Sequence, residues 1–216
     1  MYPSADEKVY IEAAEGLMAK TMARYDPSHD VYHVQRVRKT AMRIATVSTP
    51  QPDLLIVELA ALLHDVLDKK YVKSEEAADP YSFFLPLFQA AAKESNIDII
   101  ADGRARLIAL IVDNVSWSTE TKLKAADQWS EWHDSCVELH CVQDADRLDA
   151  IGAFGILRCA AYNASQNNPL HTPPDDAAVA RTAIQHFTDK LIHIRDRLKT
   201  DLGKQLAVKR HQLVRN

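Results

Sequence analysis

Asp53-Leu-Leu-Ile-Val-Glu-Leu-Ala-Ala-Leu-Leu-His-Asp-Val-Leu-Asp68 is the stretch on which the reading of this chain turns. It opens on Asp53, a residue type that caps helices by accepting backbone N–H bonds, just after Pro50 and Pro52, which stop any preceding helix. From Leu54 to Leu63 every residue but Glu58 is apolar. That pattern predicts a helix buried on nearly every side, running on through Asp68 at the centre of a helical domain. His64 and Asp65 interrupt the apolar run. Burying a neutral polar group without a partner costs roughly 2–7 kcal/mol, so an adjacent imidazole and carboxylate need compensation, and a divalent cation held between helices compensates both.

Outward from this stretch the chain reads as all-α, with five glycines in all and abundant Ala and Leu. From Tyr32 to Val47 the apolar residues Val34, Val37, Ala41, Ile44 and Ala45 recur at helical spacing, while His29, His33, Arg36 and Thr40 form a polar stripe on another face. The charged segment 69–82 reads as a loop, followed by a helix from Phe83 that is broken or initiated near Pro86. Arg104–Val115 and Glu131–Ala161 read as further helices separated by a polar segment around Ser116-Trp117-Ser118, with Gly152 and Gly155 as close helix contacts. Asn163–Asp176 reads as a mobile loop able to cover a site. Ile184, Phe187, Leu191, Ile194 and Leu198 then predict one long amphipathic helix from Ala177 to the end, with a break at Gly203. No repeat has a fixed period. The expectation is a single domain over 1–216, with a metal-binding core at about 25–160 and C-terminal helices at about 175–216.

Composition narrows the function classes. A chain of 216 residues with 47% apolar content buries one sizeable core. The N-terminal MYPSADEKVY lacks the pattern of a signal peptide, and no apolar run is long enough to cross a bilayer, so a soluble, cytoplasmic protein with no membrane partner is expected. Cys136, Cys141 and Cys159 have neither the number nor the spacing of a disulfide framework or a zinc knuckle. With a net charge of −4 and acids interspersed among the C-terminal basic residues, no nucleic-acid partner is expected.

The chemistry-bearing residues are spread along the chain. His33, His64, Asp65 and one of the carboxylates in VQDADRLD supply the imidazole and carboxylate ligands of a divalent ion between helices. Asp144, Asp146 and Asp149 all stand in that segment, and Asp149 can instead orient a ligand or Arg147. Asp68, four residues after His64, lies beside the ion if the helix continues. Arg36, one turn after His33, is placed to grip an oxyanion with its bidentate fork. His29 either touches substrate or braces the site. Trp117, Trp129 and Trp132 read as packing groups.

The order His33, His64-Asp65, Asp146 resembles the H…HD…D signature of the HD-domain metal-dependent phosphohydrolases. The strings SHDVYHVQRV, LLHDVLDKKY, VQDADRLDAIGAFGI and IQHFTDKLIHIRDRLKT extend the similarity to the subfamily related to bacterial nucleoside-triphosphate pyrophosphohydrolases. The resemblance implies an HD-domain helical bundle and one divalent metal ion, Mn²⁺ first, with Mg²⁺, Fe²⁺ or Co²⁺ as alternatives. It implies Asp146 as the last ligand, through the Ala145-Asp146-Arg147-Leu148 context. Asp68 becomes an acid/base or water-positioning group, Lys70 of the HDxxDxK pattern a phosphate-neutralising lysine, the oxyanion at the Arg36 fork a phosphate, and His186 and Lys190 of HFxxKL substrate-side residues.

The expected activity is hydrolysis of a (deoxy)nucleoside triphosphate to monophosphate and pyrophosphate. The rivals are a nucleoside-monophosphate phosphatase or phosphodiesterase on the same site, and a non-catalytic metal- or nucleotide-binding module. The partner is then a small nucleotide or other phosphorylated molecule. The amphipathic C-terminal helix packs either on its own core or on a second subunit in a homodimer.

Overall fold

The structure of the protein is a computed structural model that describes residues 2–68, 71–72 and 77–215. Eleven α-helices and short 3₁₀ turns account for its regular structure, and the described residues contain no strand. Helix α3 (Leu54–Leu63) is central and packs against α1 (Ala5–Met22), α2 (Val31–Ala45), α5 (Arg104–Asn114) and α8 (Val137–Asp149). Every residue from Leu55 to Leu63 is buried. Each buried Leu, Ile or Val contributes about 1.5–3 kcal/mol relative to exposure, so this helix anchors the bundle. Its one charged member, Glu58, is matched by Arg38 of α2 and by the Tyr2 hydroxyl.

Local signals explain the boundaries. Asp53 caps α3 by accepting from the N–H groups of Leu55 (2.9 Å) and Ile56 (3.3 Å). The helix ends at Leu63 with His64 as its C-cap. The expected continuation to Asp68 is replaced by tight turns in which Val66 donates to Leu63 and Asp68 to Asp65. Helix α1, which the spacing of apolar residues did not announce, starts with a capping box formed by Ser4 and Glu7. Helix α4 (Pro80–Ala92) begins at Pro80 behind the Asp79 cap, three residues before the expected start, and Pro86 lies inside it.

The polar segment at 116–118 is not a separator: Ser116 caps α6 (Trp117–Ala125). The reading of Glu131–Ala161 resolves into α7 (Glu131–Ser135), α8 and α9 (Gly152–Ser165). Gly152 turns the chain between the last two at φ +77, and a Cβ on Gly155 would strike the Ala150 carbonyl. The predicted single C-terminal helix is broken. It comprises α10 (Ala183–Asp189), 3₁₀ turns at Leu191–His193 and Arg195–Arg197, and α11 (Asp201–Arg215), which packs on α8 and α9. Gly203 sits within α11 rather than at a break. No helix among the described residues is long and apolar enough to cross a membrane.

Candidate metal centre

Helix α2 packs against both α3 and α8, and this contact brings distant parts of the sequence together. Asp30 caps α2 by accepting from the His33 N–H (2.7 Å), which sets His33 in the first turn. His64 and Asp65 leave the end of α3, and Asp146 comes from the last turn of α8. Asp65 Oδ2 lies 3.2 Å from His33 Nε2 and 3.3 Å from His64 Nε2, and Asp146 Oδ1 lies 3.7 and 4.0 Å from the same two nitrogens. One ligand atom each from His33, His64 and Asp146 falls within 4.8 Å of the others.

The histidines are oriented from behind. His33 Nδ1 pairs with Asp149 Oδ2 at 2.8 Å and His64 Nδ1 donates to the Ala61 carbonyl at 2.8 Å, so the Nε2 atoms face inward as lone-pair donors. His33 Nε2, His64 Nε2 and Asp65 Oδ2 are buried without hydrogen-bond partners. Orphaned buried atoms that converge on one point carry a desolvation cost, and a divalent cation removes it. The donor set of two imidazoles and two carboxylates fits such an ion.

Electrostatics agree with the geometry. Burial opposes charging of His64, but the Asp65 carboxylate, with Asp146 beyond it, outweighs burial and raises the imidazole pKa to about 9. Burial likewise opposes ionisation of Asp65, yet His64 and His33 hold it well below the usual carboxylate range. The cluster favours positive charge at its centre.

A cleft of about 610 Å³ opens onto His64, Asp65 and Asp146. His29 and Asp68 line it too, with His29 Nε2 4.0 Å from Asp68 Oδ2, and His29, Asp65 and Asp68 form a second close group of potential ligands. His29 Nδ1 is held by the Ser28 hydroxyl (2.6 Å) and the Tyr71 hydroxyl (3.0 Å). Lys190 reaches the same cleft from the C-terminal region, and Trp117 forms part of its wall.

One expected role is re-placed by these contacts, that of Arg36, and the alternatives left open for Asp144 and Asp149 are separated. Arg36 does not line the cleft: its Nε and Nη2 close on Asp149 at 2.8 and 2.9 Å, and its guanidinium lies over Phe154 at 4.4 Å. The phosphate fork expected there is therefore a brace on the carboxylate that holds His33. Asp144 turns away from the centre and accepts from the backbone of Lys199 (3.0 Å) and Thr200 (2.7 Å) and from the Thr200 hydroxyl (2.7 Å). Asp149 orients His33 rather than Arg147, which pairs with Glu120 at 2.5 Å. Lys70 lies outside the described residues.

Sequence reasoning missed Arg158, which lines the cleft from α9 while its Nε donates to the Ser28 carbonyl at 2.6 Å. A lone arginine in an apolar stretch carries no motif. His133 and His140 prove structural, bound to Asn114 and to the His133 carbonyl respectively.

Over 186 residues the chain is 32% identical to YpgQ of Bacillus subtilis, covering 86% of this chain and 79% of YpgQ. The chain belongs to the YpgQ family. The crystal structure of YpgQ in complex with ADP matches with a TM-score of 0.63 at 26% identity, over 93% of this chain and 91% of that one. A Lactobacillus plantarum structure matches this YpgQ-family fold with a TM-score of 0.73 at 28% identity, over 95% and 92% of the two chains. An HD-superfamily hydrolase from Bacillus thuringiensis does so at 0.65 and 27%, over 97% and 93%. The YpgQ-family chain thus has the all-α HD-domain fold. No family model matches it.

Proposed function

We propose that this protein is a metal-dependent phosphohydrolase that cleaves (deoxy)nucleoside triphosphates to the monophosphate and pyrophosphate. The observation that carries the reading is the convergence of His33 Nε2, His64 Nε2 and Asp65 Oδ2, all buried and unpartnered, beside Asp146 at the floor of the cleft. His33, His64, Asp65 and Asp146 would hold one divalent ion, with Mn²⁺ the first choice and Mg²⁺, Fe²⁺ or Co²⁺ as alternatives. Such an ion, when bound, supplies Lewis acidity toward phosphate and a lowered pKa for water.

The protein's own groups do the rest. Asp68, beside His29 at the cleft wall, accepts a proton from the attacking water. His29, Lys190 and Arg158 bind phosphate oxygens, whose charge grows as water adds to the α-phosphorus and the bond to the pyrophosphate oxygen breaks. Lys70 takes a similar role on the strength of its motif. Arg36 acts as a positioning residue through Asp149. The ADP-bound relative and the HD-superfamily hydrolase among the similar structures support a nucleotide and a hydrolytic reaction.

A screen of metals against nucleotides, with pyrophosphate and phosphate detected separately, tests this reading. Pyrophosphate release with Mn²⁺ is expected. Release of phosphate alone would assign a phosphatase instead, and no product from any nucleotide would remove the hydrolase reading.

A further inference from the structure

The cleft does not end at the metal ligands. A second cavity of about 260 Å³ shares His29, Ala150, Arg158 and Lys190 with it, so these residues form a saddle between two chambers. His29 also belongs to the close group with Asp65 and Asp68, which puts the saddle against the metal-binding carboxylates.

The chambers differ in chemistry. In the large one, the carboxylates Asp65, Asp68, Asp113 and Asp146 balance the cations, and Val112, Val115, Trp117, Leu123 and Ile194 add apolar wall. Such a surface suits a nucleoside. In the small one Asp189 is the sole carboxylate among the lining residues and already accepts from Gln185 at 2.7 Å, whereas Arg158, Arg181 and Lys190 are cationic and His29 and His186 add imidazoles. Its volume is below the roughly 300–1,000 Å³ usual for a drug-sized ligand. It therefore suits a compact anion.

The saddle residues are held in place. Arg158 is fixed by its bond to the Ser28 carbonyl and by Asp149 Oδ2 at 3.4 Å from Nη1. Lys190 Nζ stands 5.9 Å from the Trp117 ring centre in the large chamber and also acts on Cys159 of the small one, where burial raises the thiol pKa and the ammonium pulls it back.

We infer that the small chamber is a diphosphate subsite, which takes the β- and γ-phosphates of a bound nucleotide and holds inorganic pyrophosphate after cleavage. Arg158 and Lys190 grip the diphosphate at the saddle, and Arg181 and His186 at the exposed rim complete its contacts. This assignment rests on the reading of the cleft as a nucleotide phosphohydrolase site and adds the feature that selects triphosphates over monophosphates.

The test is calorimetric titration of inorganic pyrophosphate, with inorganic phosphate as comparator, into the full-length protein after removal of metal by chelator and dialysis. One pyrophosphate is expected to bind per chain, at least tenfold more tightly than phosphate. Arg181→Gln combined with His186→Gln, both at exposed positions that a fold tolerates, should weaken pyrophosphate at least tenfold, while Lys39→Gln leaves it unchanged. Equal binding by the double variant and the wild type would overturn the subsite, as would no preference over phosphate. The two readings fail separately. Pyrophosphate bound by the wild type and lost in the double variant, in a protein that hydrolyses no nucleotide, upholds the subsite and removes the enzyme; an active enzyme whose double variant binds pyrophosphate normally removes the subsite alone.

Discussion

His33 Nδ1 meets Asp149 Oδ2 at 2.8 Å, and this one bond decides which nitrogen of the ring faces the site. Burial works against ionisation of Asp149, but its bonds to His33 and Arg36 and the nearby charge of Arg158 hold it well below the usual carboxylate range. An ionised Asp149 accepts only, so Nδ1 carries the proton and Nε2 is left as the donor toward metal. Asp149→Ala removes that constraint while leaving all four proposed ligands in place. Loss of such an orienting partner typically weakens metal binding about 10–100-fold. Mn²⁺ titration of the folded variant checks this, and wild-type affinity would show that packing alone orients the ring.

Asp144 and Asp146 give a sharper contrast. Two positions apart on a helix are about 200° apart around its axis, so the two carboxylates face opposite ways. Asp146 is part-exposed at the site, and Asp146→Ala should abolish tight Mn²⁺ binding with little change in stability. Asp144 is fully buried and ties the chain at Lys199 and Thr200 to α8. Asp144→Ala leaves those N–H groups without their acceptor and is expected to cost about 2–4 kcal/mol while the folded protein still binds Mn²⁺. Chemical denaturation and metal titration on the two variants should give opposite patterns. Matching patterns would undo the assignment of the two carboxylates.

The same contacts explain what the sequence made legible. The apolar run of α3, broken only by Glu58 and with His64-Asp65 at its end, announced both a central helix and a polar pair in need of compensation. The C-terminal apolar spacing suggested one helix because tertiary partners do not show in a local pattern. Arg147 of α8 takes the Arg197 carbonyl (2.8 Å), and Asp144 takes the Lys199 and Thr200 N–H groups. These bonds compete with helical ones and open the chain there. The change of role for Arg36 has a similar origin, since its partner lies 113 residues away and the spacing to His33 suggested only a shared face. The start of α1 was available in the Ser4–Glu7 capping box, a signal that apolar periodicity does not weigh.

Acid stability should depend on Glu120. This carboxylate is buried between Arg147 (2.5 Å) and Lys124 (2.8 Å). Burial pushes its pKa up, but Arg147, Lys124 and Lys199 outweigh burial and bring it from 4.5 to about 2. The unfolded chain therefore binds a proton between pH 4.5 and 2 that the folded chain does not, so the stabilisation is complete above pH 4.5 and is lost as pH falls toward 2. At pH 7 Glu120→Gln should cost on the order of 3 kcal/mol. Urea denaturation at pH 7 and at pH 3 should show the gap to wild type narrowing in acid, and a constant gap would mean that Glu120 acts by packing and not by charge.

Two glycine-to-alanine changes in helices should differ in sign. Alanine is favoured over glycine in a helix interior by about 1 kcal/mol. A Cβ at Gly16, on the exposed side of α1, meets nothing within 4 Å, so Gly16→Ala should stabilise the protein. At Gly203 neither propensity nor positive φ decides the outcome. A Cβ there would press on Asp144 Oδ2 and lie 2.6 Å from Thr200 Oγ1, the two groups whose mutual hydrogen bond joins α8 to the start of α11. That bond cannot move aside without uncovering a buried carboxylate, so overpacking should outweigh propensity and Gly203→Ala should lose about 1–3 kcal/mol. Paired thermal melts measure both changes against wild type, and a stabilised Gly203→Ala would show that the Asp144–Thr200 junction yields more readily than its burial implies.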